Sequence, residues 1–137
     1  MTSYAAVDAG PLIASADGAD PAHERSVAAL QRSDLRLVIP ALVLCEVAHF
    51  LGLRGGPRAE AAFFRTIQTL DVEAPTPEDF ERMAELIDQY ADFPLGGTDA
   101  SVVALAERLN APAVITLDRR HFSAVEPRHV ERFELLP

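Results

Sequence analysis

Tyr4-Ala5-Ala6-Val7-Asp8-Ala9-Gly10-Pro11 sets the architecture of this chain. Four largely apolar residues run into a carboxylate, a glycine and a proline, which reads as a buried strand ending in a turn. The same punctuation recurs downstream. Leu37 to Ile39 is a second short apolar run, stopped by Pro40. Leu70 to Glu73, Ala113 to Thr116 and Phe133 to Leu136 are three further short strand candidates.

Helical patterns lie between them. Asp20-Pro21 has the form of an N-cap followed by a first-turn proline, opening a helix with Val27 and Leu30. From Ala41 to Leu53, apolar Leu42, Val43, Val47, Phe50 and Leu51 recur at helical spacing. Gly52, Gly55 and Gly56 end that helix, and Pro57 restarts another with Phe63, Phe64 and Ile67 on its inner side. Thr76-Pro77-Glu78-Asp79 opens a helix through Tyr90 in capping style. Asp92 to Gly97 is a loop, and Thr98 is the expected cap of a helix to Leu109. Strands alternating with helices imply an α/β fold, a mostly parallel sheet of about five strands between two helical layers. The 137 residues suit one domain spanning 1–137.

Composition narrows the function. No apolar run reaches the ~18 residues of a membrane helix, and the stretch from Met1 to Val7 is too short and uncharged for a signal peptide. Cys45 is the single cysteine, which excludes an intrachain disulfide and points to a reducing cytoplasm. Its apolar surroundings mark it as a small core residue. All twelve basic residues are arginine, and the net charge is −9. Nucleic-acid enzymes usually carry a basic footprint. An acidic chain meets that need only if metal ions neutralise a carboxylate cluster locally.

In parallel α/β folds, ligands gather beyond the carboxyl ends of the strands. Four carboxylates fall at or near such places. Asp8 ends the first strand and Asp118 follows the strand Ala113 to Thr116. Asp99 opens a helix, where a carboxylate also complements the helix dipole. Glu46 lies three residues after Val43 and four before Phe50, on the expected apolar face, where a carboxylate needs a cationic partner, a proton or a metal. Hard cations such as Mg²⁺ take several oxygen ligands, and metal-assisted phosphodiester hydrolysis uses such a cluster.

These residues resemble a known family pattern. Asp8-Ala9-Gly10-Pro11-Leu12-Ile13-Ala14 is similar to the opening Asp-Thr-Ser-Ala-Leu-Ile-Ala segment of PIN-domain ribonucleases. Pro40 to Val47 resembles the family's helix bearing its glutamate, and Gly97-Thr98-Asp99-Ala100 resembles its third acidic motif. Thr116-Leu117-Asp118-Arg119-Arg120-His121-Phe122 resembles the Thr-x-Asp-x-x-Phe motif that closes the site, with the phenylalanine one position further on. The four stand in the family's order and span almost the whole chain. The resemblance implies a PIN-like three-layer sandwich and an Mg²⁺-dependent endoribonuclease, with Mn²⁺ able to substitute. Asp8, Glu46, Asp99 and Asp118 would form its acidic pocket, with Asp8 and Asp99 the firmest ligands. Thr116 would support them through its hydroxyl, with Thr98 beside Asp99. The chain looks most like the VapC toxin branch, which implies a homodimer and a VapB-type antitoxin whose tail fills the active groove. It departs from the pattern at Ala9 and Gly10, where a Thr-Ser pair is common.

Other signals are weaker. Arg119 and Arg120, beside Asp118, are candidates for holding RNA phosphates, and Arg54 and Arg58 for lining the groove's rim. Glu46 and His49 form a Glu-x-x-His pair of the kind di-iron bundles use, without the second copy such sites need. His23, His121 and His129 lack zinc-like spacing and read as surface or hydrogen-bonding residues. Two rival functions remain. Another Mg²⁺-dependent phosphoryl-hydrolysing α/β enzyme shares the fold class. However, the chain has no glycine-rich phosphate loop, no lysine for a receiver-type phosphoacceptor, and Gly10 where haloacid-type phosphatases place a second aspartate. A non-catalytic PIN-like interaction module would have no need of the four carboxylates.

Overall fold

The computed structural model describes residues 2–137. Its elements run β1 (Ser3–Val7), α1 (Ala9–Ser15), α2 (His23–Leu30), β2 (Leu35–Pro40), α3 (Ala41–Ile67), β3 (Asp71–Glu73), α4 (Pro77–Gln89), α5 (Gly97–Arg108), β4 (Ala113–Ile115), α6 (Arg119–Ala124) and β5 (Glu134–Leu136). The strands form one sheet in the order β3-β2-β1-β4-β5, and every pairing is parallel. Helices cover the sheet, giving the α/β/α sandwich that the strand–helix alternation implies.

β1 occupies the centre. From there the chain builds outward through β2 to β3, then returns to place β4 on the other side of β1. The direction of winding therefore reverses between β1 and β4, the point at which open parallel sheets form a crevice at the strands' carboxyl ends. Val7 pairs with Ile115 at the last step of that register. The next residue of each strand, Asp8 and Thr116, therefore emerges at the crevice.

α5 is the innermost helix, with every residue from Ala100 to Ala106 buried. Its side chains there are all small or aliphatic, Ala100-Ser101-Val102-Val103-Ala104-Leu105-Ala106, which fits a helix enclosed between the sheet and α4. α4 starts with a capping box in which Thr76 and Asp79 each accept the other's backbone N–H at 3.1 Å. Arg82 of α4 joins Glu107 of α5 through two hydrogen bonds of 2.7 and 3.0 Å. Arg108 reaches back to Asp79 at 2.9 Å.

Several expectations need correction. α1 forms directly after Asp8, where only a turn is expected, because Pro11 suits a helix's first turn and Leu12 and Ala14 are buried by it. α6 is a second unexpected helix, initiated by Asp118, whose carboxylate accepts the His121 N–H at 3.0 Å. α2 begins at His23 rather than Pro21, because Asp20 spends its side chain on a turn, accepting the Ala22 N–H at 2.8 Å.

The glycine-rich break is a kink within one long element. α3 is helical on both sides of Gly56, whose φ of 72° only glycine adopts cheaply, and Pro57 begins the second arm. Cys45 is exposed, not a core residue. Phe50 and Phe64 are also largely exposed, whereas Val43, Val47, Leu51 and Phe63 take the inner line. No helix among the described residues is long and apolar enough to cross a membrane.

Candidate functional site

The crevice between β1 and β4 collects four acidic side chains: Asp8 after β1, Glu46 of α3, Asp99 of α5 and Asp118 at the start of α6. Asp8 is the N-cap residue of α1 and is buried. Its backbone N–H donates to the Ile115 carbonyl at 2.9 Å, extending the β1–β4 ladder by one rung. Thr116, also buried, donates its hydroxyl to Asp8 Oδ2 at 2.8 Å. The same hydroxyl oxygen accepts the Asp118 N–H at 2.9 Å. One threonine thus aligns a carboxylate from each of the two central strand ends.

Asp99 enters from the first turn of α5. The N-cap there is Gly96, and no side chain caps the helix. Thr98 sits inside the first turn and does not cap it, because the extended backbone at Gly96 starts the helix earlier. The Thr98 carbonyl instead accepts the Ser101 hydroxyl at 2.6 Å.

Glu46 comes from the first arm of α3. The sequence suggests the apolar face, but the residue is exposed. The buried line is Val43, Val47 and Leu51, so Glu46 falls at its edge, on the side that Phe50 shares. This edge position brings its charge within range of Asp8 and Asp99.

Electrostatics tie the four together. Burial pushes the Asp8 carboxyl up, opposed by the Thr116 hydrogen bond, and Asp118 repels it further. Asp99 is pushed up to about 6, first by burial and then by the charge of Asp8. Partial burial and Asp8 likewise raise Glu46. Asp118 goes the other way: burial would raise it, but hydrogen bonds from the backbone and ring of His121 outweigh burial and hold it below the usual range. No arginine ion-pairs with any of the four among the described residues. A set of converging carboxylates without an arginine ion pair has the donor chemistry of a hard-cation pocket.

Two site residues escaped the sequence reading. His121 Nδ1 lies 2.5 Å from Asp118 Oδ2 and 3.5 Å from Asp99 Oδ2. Asp99, Asp118 and His121 each offer one ligand atom within 4.8 Å of the others. Phe93, in the loop before α5, meets the His121 ring edge-on at 5.2 Å, and the Arg120 guanidinium stacks over Phe93 at 5.4 Å. The spacing of Asp118 and His121, three apart at the start of a helix, is the one sequence signal that pointed here. Recognising it required α6.

The four arginines expected to contact RNA, Arg54, Arg58, Arg119 and Arg120, are exposed. Arg120 lies near enough to Asp118 to lower its pKa. Arg119 donates to the Pro137 carbonyl at 2.7 Å. Arg54 pairs loosely with Asp17 at 3.8 Å and lies over Phe50. Ala9 is buried, and a side chain on Gly10 would approach Leu117 Cβ to 3.2 Å. Leu117 thus fills space that a Ser at position 10 would enter, which accounts for one half of the departure from the Thr-Ser pattern.

The fold and its acidic crevice place the chain among parallel α/β proteins with a carboxylate-lined pocket at the sheet's reversal point. The chain belongs to the PIN-domain family, whose model matches residues 5–126. It is 32% identical over 133 residues to Ribonuclease VapC26 of Mycobacterium tuberculosis, covering 96% of this chain and 98% of that protein. Its fold is similar to the crystal structure of M. tuberculosis VapC20, a sarcin–ricin loop cleaving toxin, with a TM-score of 0.80 at 22% identity over 94% of this chain and 99% of that one. A toxin–antitoxin complex from Klebsiella pneumoniae shares the fold with a TM-score of 0.72 at 20% identity, covering 88% of this chain and 92% of that one.

Proposed function

We propose that this protein is a divalent-metal-dependent endoribonuclease acting as the toxin of a toxin–antitoxin pair in the cytoplasm. The observation that carries this reading is the convergence of Asp8, Glu46, Asp99 and Asp118 on one crevice without an arginine ion pair to any of them among the described residues. The near full-length relationship to a VapC ribonuclease supports the same reaction.

Asp8, Asp99 and Asp118 would hold Mg²⁺, or Mn²⁺ in its place, with Glu46 completing the charge at the rim. When bound, such an ion polarises the scissile phosphate and lowers the pKa of a coordinated water. The chain's own groups prepare the pocket. Thr116 fixes the Asp8 carboxylate and the Asp118 backbone against each other. Arg120 stands beside Asp118, where its charge is available to an RNA phosphate, and Arg119, Arg54 and Arg58 would extend that contact along the backbone. A locally neutralised pocket reconciles a polyanionic substrate with a net charge of −9.

The partners follow from the same reading: an RNA substrate, a VapB-type antitoxin and a second copy of the chain. The test is incubation of the purified chain with total RNA and Mg²⁺ or Mn²⁺, beside an EDTA control and the variants Asp8→Asn and Asp99→Asn. Cleavage that needs metal and drops by orders of magnitude in both variants is expected. A chain that binds no metal and leaves RNA intact would return the fold to a binding role.

A further inference from the structure

We propose that His121 is itself a metal ligand, so that the pocket is a mixed oxygen–nitrogen site that selects Mn²⁺ over Mg²⁺. This rests on the metal-nuclease reading above and specifies the ion.

The geometry is the first support. Neighbouring ligands of an octahedral ion with bonds of about 2.1 Å stand roughly 3 Å apart. His121 Nδ1 is 2.5 Å from Asp118 Oδ2 and 3.5 Å from Asp99 Oδ2, on either side of that value. Shifts of about half an ångström convert this hydrogen-bonded cluster into a coordination shell.

The second support is how the ring is held. The His121 backbone is fixed where α6 begins, by its N–H to Asp118 Oδ1 at 3.0 Å. Phe93 braces the ring edge-on, and Arg120 in turn covers Phe93. The imidazole is therefore kept at the carboxylates rather than free to swing into solvent. The other histidines are placed differently: His23 bonds the Ala14 carbonyl, His129 bonds the Ala111 carbonyl, and His49 lies against Phe50.

The third support is ligand chemistry. Mg²⁺ favours oxygen donors and dehydrates reluctantly, whereas imidazole suits transition metals. Replacing one oxygen ligand by a ring nitrogen shifts preference toward Mn²⁺ without excluding the carboxylates it also accepts.

The experiment uses the full chain freed of metal, titrated separately with Mn²⁺ and Mg²⁺ by calorimetry and with Mn²⁺ by pulsed EPR. Wild type is expected to show ¹⁴N coupling to bound Mn²⁺. In His121→Ala that coupling disappears, and the ratio of Mn²⁺ to Mg²⁺ affinity falls about tenfold or more. Asp118→Asn weakens both ions together. Bound Mn²⁺ without nitrogen coupling in wild type overturns the proposal whatever the variant's stability, and so does an equal loss of both ions in His121→Ala. If wild type cleaves RNA with metal but lacks the nitrogen signal, only this inference fails. If it binds neither ion, the metal-nuclease reading fails with it.

Discussion

Thr116 donates its hydroxyl to Asp8 across 108 positions of sequence, and the same oxygen receives the backbone N–H of Asp118. This buried hydroxyl is the joint between the two halves of the acidic pocket. Thr116→Val keeps the shape and removes both bonds. Leaving Asp8 and the Asp118 N–H without it should cost about 1–3 kcal/mol of stability. It should also weaken metal binding about 10- to 100-fold, as loss of an orienting neighbour typically does. Denaturant melts and calorimetry measure the two effects, and an unchanged metal affinity would show that Asp8 is positioned by the backbone alone.

Asp99 is ionised at neutral pH against the charge of its neighbours. Its folded-state pKa is raised from 3.8 to about 6, so the folded chain holds that proton more tightly than the unfolded one does. The contribution of this group is therefore favourable at low pH and declines as pH rises through the window from about 4 to about 6. Asp99→Asn removes the penalty. In EDTA at pH 7.5, the variant should be more stable than wild type by about 1–2 kcal/mol, while losing metal binding. A thermal melt showing the variant equal to or below wild type would contradict it.

The same shift predicts a pH dependence of loading. A metal binds the ionised carboxylate and must displace the Asp99 proton when pH is below about 6. Affinity for Mn²⁺ or Mg²⁺ should fall steeply between pH 7 and pH 5, with proton release that appears as a buffer-dependent heat in calorimetry. Flat affinity across that interval would place the ion away from Asp99.

Far from the pocket, Glu107 accepts both guanidinium bonds of Arg82 and the Arg128 N–H, and it is nearly buried. Glu107→Ala removes both short hydrogen bonds of Arg82 in the α4–α5 contact, leaving it the 3.5 Å pair with Glu85, and should cost roughly 2 kcal/mol. RNA cleavage by the folded fraction should not change. Reduced turnover at full folding would mean that this network reaches the crevice.

The sequence disclosed the pocket more readily than its surroundings. Asp8, Asp99 and Asp118 were visible because strand ends and helix starts are marked by turn and capping chemistry that a single pass detects. The five strands were likewise legible from short apolar runs between prolines and glycines. What stayed hidden depended on packing. α1 and α6 are short helices whose residues look like turns until a sheet lies beneath them. Cys45 and Phe64 sit in apolar company yet face outward, because the inner line of α3 is set by how the kinked helix meets the sheet. His121 has no metal-ligand spacing along the sequence. Its partners are Asp118, three residues back, and Asp99, which only the tertiary fold brings near.

The pairing of β1 with β4 carries a consequence for timing. Thr116, which orients Asp8, follows it by 108 positions, and Asp118 and His121 lie beyond that. A ribosome-bound fragment lacking that segment has no Thr116, Asp118 or His121, so it cannot assemble the pocket however well its first strands form. Contacts between such distant segments also form slowly, because chain closure must precede them. Assembly of the acidic crevice thus waits until the β4 segment has been made and has docked beside β1.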